Sequence, residues 1–151
     1  MTQVMDKLSN PQKTIEIIQK YNFNFQKKFG QNFLIDSHVL NKIIAGAGVT
    51  KDDFVLEIGP GIGTLTQYLC EAAGKVFAVE IDKNLLPILE ETLAPYDNIT
   101  VINEDILKLD FFTDTELKSM IQYLSENNMT EVMAYVMEYA KDGNFRTDFS
   151  L

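Results

Sequence analysis

At 151 residues, 46% of them hydrophobic, the chain fits one domain and is long enough to bury a real core. A net charge of -9 argues against nonspecific nucleic-acid binding by the chain as a whole. No apolar run approaches membrane-spanning length, and a single cysteine, Cys70, excludes an internal disulfide. Charge is unevenly spread: residues 1–50 hold six lysines against three acids, whereas residues 51–110 hold four lysines against twelve acids. A basic lip on an acidic body is therefore expected, although a set of merely solvated lysines fits the composition equally well. Met1 to Asn10 is polar without an apolar core segment, so no signal peptide is expected and the cytoplasm is the default location.

Pro11 to Tyr21 carries Ile15, Ile17, Ile18 and Tyr21 at helical spacing and predicts a short amphipathic helix. Asn22 to Leu34 interleaves aromatics and lysines, a mixture that can stack bases and pair phosphates. Packing against the body is the better expectation for most of Phe23, Phe25, Phe29 and Phe33. Asp36 or Ser37 can cap a helix from His38 to Ala45, with Val39, Leu40, Ile43 and Ile44 facing inward and Gly46 and Gly48 ending it. His38, the only histidine, reads as a surface residue in that helix's first turn.

The centre of the chain is Phe54 to Ile58, an apolar run suited to a strand covered on both faces. It runs into Gly59-Pro60-Gly61-Ile62-Gly63 and then a helix opening at Thr64. The glycines leave space for a ligand, and the helix start offers free N–H groups. Their spacing differs from the Gly-x-Gly-x-x-Gly of dinucleotide sites, which disfavours a nicotinamide cofactor. Cys70, in the apolar Tyr68-Leu69-Cys70 part of the helix, reads as a packed thiol. A second strand, Lys75 to Glu80, ends in an acid that can accept hydrogen bonds from both hydroxyls of a ribose. Asp82 is placed to cap a helix from Lys83, whose face is Leu85, Leu86, Ile88, Leu89 and Leu93, with Pro87 in its first turn. A third strand, Ile99 to Asn103, ends in Glu104-Asp105, where a side chain can reach an adenine amino group.

Glu-x-Gly-x-Gly-x-Gly, Val-Glu-Ile-Asp and Asn-Glu-Asp, in that order, resemble the S-adenosylmethionine site of class I methyltransferases. Lys28-Phe29-Gly30-Gln31-Asn32-Phe33-Leu34 ahead of them narrows the likeness to the ribosomal RNA adenine N6-dimethyltransferases. The preceding Asn10-Pro11 and Ile17 to Phe23 look most like the bacterial small-subunit enzymes. The resemblance runs from about Leu8 to about Leu109. It implies S-adenosylmethionine as cofactor and small-subunit ribosomal RNA as partner, with methyl transfer to adenine N6. It further implies that Asn32 and Leu34 close over the cofactor, that Gly59 supplies backbone to its methionine end, that Glu80 holds the ribose and that Asp105 holds the adenine. No metal and no general base are required.

The family's Asn-Leu-Pro-aromatic motif, which holds the target base, is absent after Asp105, so no residue is assigned a catalytic role. Phe111 to Leu151 reads instead as a helical hairpin. Its stripes are Leu117, Met120, Ile121 and Leu124, then Val132, Met133, Val136, Met137 and Ala140. The expected fold is thus α/β: an incomplete Rossmann-like sheet of parallel strands ordered 3-2-1, carried by residues 1–110, with an unrelated-looking tail at 111–151. Such a sheet leaves the first strand at an edge that the tail or a second copy of the chain would cover. The competing reading is a non-catalytic cofactor- or RNA-binding module whose helical tail engages a partner.

Overall fold

Three apolar runs rich in valine, isoleucine and phenylalanine form the sheet: β1 (Phe54–Ile58), β2 (Lys75–Glu80) and β3 (Ile99–Asn103). The structure, a computed structural model, describes residues 7–24 and 36–108. The helices are α1 (Pro11–Lys20), α2 (Ser37–Ala47), α3 (Thr64–Ala72) and α4 (Leu86–Thr92). Single 3-10 turns precede α4 (Lys83–Leu85) and follow β3 (Ile106–Lys108). The strands are parallel in the order β1-β2-β3, with Val55 opposite Val76 and Val76 opposite Ile99. The expected three-strand arrangement is therefore present, and among the described residues β1 has a neighbour on one side only.

Each parallel pair needs a crossover, and two right-handed crossovers stepping in one direction place both helices on one face. That face carries Val55 and Val76, which pack with Leu69, Cys70 and Ala73 of the α3 region, and with Ile44 and Val49. Ile99 and Val101 of β3 continue it under α4, where Leu85, Ile88, Leu89 and Leu93 meet Leu8 and Ile17 of the N-terminal segment. The alternate residues Phe54, Leu56, Phe77 and Val79 lie on the other face and are also buried, with the rings of Phe54 and Phe77 stacked 5.4 Å apart. Burial on both faces explains why β1 and β2 read as near-continuous apolar runs.

Local signals account for most helix ends. Asn10 caps α1 through Gln12 N–H, with Pro11 at the first helical position; Asp36 caps α2 through Val39 N–H. Asp82 accepts from Asn84 N–H before α4, as its position predicts. Two details of the sequence reading are corrected. Gly46 lies within α2, and the helix stops at Gly48, which takes the left-handed conformation (φ 66°). Val39 and Ile43, expected to face inward, are 44% and 37% exposed, and Leu40 alone is buried on α2. Ile15 on α1 is likewise 43% exposed, while Ile17 is buried. Both helices flank the sheet at its periphery, where one row of contacts is enough to hold them. The segment containing Asn32 and Leu34, and the tail at 111–151, fall outside the described residues.

Candidate cofactor site

The site is built where β1 and β2 end. Gly59 continues the β1 ladder by donating to the Val79 carbonyl (2.9 Å), and at φ 70° the chain then turns away from the sheet. A side chain added at Gly59 would meet nothing within 4 Å, so the turn borders open space. Gly63 ends the loop at φ 98° and serves as N-cap of α3, which has no side-chain cap. A Cβ there would sit 2.9 Å from Thr92 Oγ1 and 3.3 Å from Leu89 and Leu93. Gly63 is therefore needed both for its backbone conformation and because α4 packs against it. Beside it, the buried Thr64 hydroxyl has no hydrogen-bond partner among the described residues.

Glu80 closes β2 and is only 3% exposed. Its two carboxylate oxygens accept from Gly61 N–H (3.1 Å) and Asp82 N–H (2.9 Å). Burial pushes its pKa up, while these N–H bonds and that of Ile81 pull it down and the Asp82 charge adds to the rise. Each oxygen has a second lone pair, so the group that pins the glycine loop can also receive a ligand hydroxyl. Its backbone carbonyl accepts from Glu104 N–H (3.1 Å) and Asn103 Nδ2 (2.8 Å), which brings the end of β3 against the end of β2. Asp105 follows there, half-buried, with its carbonyl accepting from Lys108 N–H (2.9 Å). Gly59, Glu80 and Asp105 are thus all at the carboxyl end of the sheet, where ligands bind in open α/β folds. Asn32 and Leu34 lie outside the described residues.

The sequence reading gave no role to two neighbours. Ile81 is 44% exposed although it directly follows Glu80, an apolar side chain at the lip of the site. Its signal was its position between two acids at a strand end. Glu57 is buried on the α3 face of β1, and both its oxygens lie within hydrogen-bond distance of Thr66 Oγ1 (2.9 and 2.8 Å). Desolvation raises its pKa to about 7, opposed by the Thr66 hydroxyl and reinforced by the Glu80 charge. It ties α3 to the strand end. Cys70 is buried, and burial pushes its thiol up to about 12, which makes it an inert packed group.

The basic lip is largely neutralised where it is described. Lys7 pairs with Glu71, Lys13 with Glu16 and Lys20 with Glu91. Lys27 and Lys28 fall outside the described residues. His38 is exposed, as expected for a surface residue.

The sequence pattern of the family described as ribosomal RNA adenine dimethylase matches residues 22–136. Ribosomal RNA small subunit methyltransferase A of Lachnoclostridium phytofermentans is 71% identical over 104 residues, which are 68% of this chain and 36% of that protein. Its counterpart in Alkaliphilus oremlandii is 59% identical over 106 residues, 70% of this chain and 37% of that protein. The chain thus spans little more than a third of the length of these curated relatives. Among solved structures, the 23S rRNA methyltransferase ErmE is similar with a TM-score of 0.50 and 26% identity, over 76% of this chain and 54% of that one. The tRNA (m1A58) methyltransferase TrmI from Aquifex aeolicus, at 22% identity and a TM-score of 0.50, covers 62% of this chain and 38% of its own, and supports the fold. With the glycine loop and two strand-end acids in place, the chain belongs to the ribosomal RNA adenine dimethylase family.

Proposed function

We propose that this chain is the S-adenosylmethionine-binding half of a small-subunit rRNA adenine N6-dimethyltransferase. The observation that carries the reading is Glu80, a buried carboxylate at a strand end that holds Gly61 N–H beside the open side of Gly59. Glu80 would take the ribose hydroxyls, Asp105 the adenine amino group and Gly59 the methionine end, with Asn32 and Leu34 closing from the N-terminal segment. The donor set fits the cofactor: carboxylates accept from hydroxyls and from an amino group, and the uncapped start of α3 leaves N–H groups near the loop. When bound, the cofactor supplies an electrophilic methyl group on a sulfonium; the protein's part is to hold and orient it.

Support for ribosomal RNA as substrate comes from the family and from the names of the relatives. The missing Asn-Leu-Pro-aromatic motif favours cofactor binding over turnover by this chain alone, since that motif would hold the target base. Residues 1–110 form the cofactor half in this reading, and 111–151 a separate helical segment, while the family pattern itself runs on to residue 136. The side of β1 that has no neighbour among the described residues would allow self-association. No helix among the described residues is long and apolar enough to cross a membrane.

Calorimetric titration of the full chain with S-adenosylmethionine, beside Glu80→Ala, tests the reading. Binding by the parent and at least about tenfold weaker binding by the variant are expected, given the cost of losing charged hydrogen bonds. No heat from the parent would overturn it, as would equal affinity in a variant that remains folded by circular dichroism.

A further inference from the structure

A chain of buried polar groups connects the N-terminal segment to the glycine loop, and nothing in the cofactor reading uses it. Gln67, 2% exposed in the middle of α3, accepts from Leu8 N–H through Oε1 (3.0 Å). Its Nε2 donates to the Thr92 carbonyl at the end of α4 (3.0 Å). The Thr92 hydroxyl in turn donates to the carbonyl of Ile62 within the glycine loop (2.8 Å). At the outer end, Thr14 of α1, 1% exposed, donates its hydroxyl to the Leu8 carbonyl (2.7 Å). Apolar packing follows the same path: Ile62 is fully buried and shares one cluster with Leu8, Ile17, Leu89 and Leu93.

We propose that Gln67 is a positioning residue that couples docking of the N-terminal segment to the shape of the glycine loop. A buried amide is suited to the task because it accepts on one side and donates on the other. Leu8 N–H and the Thr92 carbonyl are buried backbone groups of opposite polarity, and one glutamine satisfies both. Losing it leaves both unpaired, which raises the cost of keeping residues 7–24 seated and α4 in register with the loop. Coupling between two sites is reciprocal, so whatever steadies the loop also steadies the N-terminal segment. Only the affinity part of the proposal rests on the loop being a cofactor loop.

Hydrogen exchange of the full chain tests the coupling without any ligand. In Gln67→Met, which keeps the length and removes both polar atoms, amides of residues 7–24 and those of Gly61 and Gly63 exchange about tenfold faster. Amides of β2 keep the parent rate. In Gln67→Glu at pH 8, the carboxylate still accepts from Leu8 but cannot donate to Thr92. The loop amides therefore accelerate most, and residues 7–24, still bonded at Leu8, accelerate less than in Gln67→Met. Glu also carries the test should the Met variant fail to fold. Unchanged Gly61 and Gly63 rates in both variants would overturn the coupling, as would equal acceleration of β2, the mark of a general loss of stability. If the parent binds S-adenosylmethionine, Gln67→Met should weaken that binding severalfold. A parent that binds none would sink the cofactor reading and leave the exchange result standing.

Discussion

Helices α2 and α3 invert what their sequences would lead one to expect. Ser37–Ala47 offers Val39, Leu40, Ile43 and Ile44, yet only Leu40 is buried. Thr64–Ala72 carries two threonines and a glutamine, and all three are buried with Tyr68, Leu69 and Cys70. Position in the fold decides the difference. As the crossover from β1 to β2, α3 lies over the strands and beneath the N-terminal segment, enclosed on several sides. Helix α2 precedes the sheet and packs on α3 from outside. An unbonded polar group is costly in such a place, and Thr66 bonds to Glu57 and Gln67 to Leu8 and Thr92, while the Thr64 hydroxyl is the exception, with no partner among the described residues. The polar side chains of α3 therefore carry the specific geometry, while the apolar ones of α2 contribute less than their number implies.

This contrast can be broken first at the glycine loop that starts α3. Gly63→Ala adds a Cβ 2.9 Å from Thr92 Oγ1 on a residue at φ 98°, so both the backbone and the α4 contact are strained. A loss of about 3 kcal/mol in urea unfolding is expected, and an unchanged midpoint would show that the loop is loose. A smaller effect, with a pH signature, is expected at Glu57. Its folded-state pKa lies near 7, above the ordinary 4.5, so the folded protein keeps a proton that the unfolded chain has released. Stability should therefore fall as pH rises from about 4.5 to about 7, most of the cost being present above that window. Glu57→Gln, still able to accept from Thr66, should flatten the profile and gain about 2 kcal/mol at pH 8 relative to the parent. A parent profile that rises across this window would overturn the assignment. The smallest effect belongs to α2, where Val39→Ser and Ile43→Ser should each change stability by less than about 0.5 kcal/mol in the same denaturant series. A loss of more than about 1 kcal/mol would mean that these side chains are covered in solution.

Much of the architecture was legible because its signals are local. Apolar runs of strand length marked the three strands, and two Asp and two Pro residues marked the starts of helices. The spacing of Gly59, Gly61 and Gly63 against Glu80 and Asp105 carried the site, since a parallel sheet brings successive strand ends to one edge. Less legible were the directions in which helical side chains point. Helical spacing on α2 identifies an apolar stripe but not whether a second layer exists to bury it, so Val39 and Ile43 were misplaced.

By itself, then, the sequence determined the three strands, the glycine loop and the family, because these follow from short-range pattern and from the order in which motifs occur; the strand order followed from the family resemblance. Tertiary structure alone decided what the acids and the glutamine do. Glu57 and Glu80 look alike as strand-end carboxylates. One lies under α3 and accepts from a threonine; the other, also buried, accepts from Gly61 N–H in the loop and from Asp82 N–H. Gln67 has no motif at all. Its meaning arises from two backbone groups, at Leu8 and Thr92, that are 59 and 25 residues away along the chain and meet it only when the fold closes.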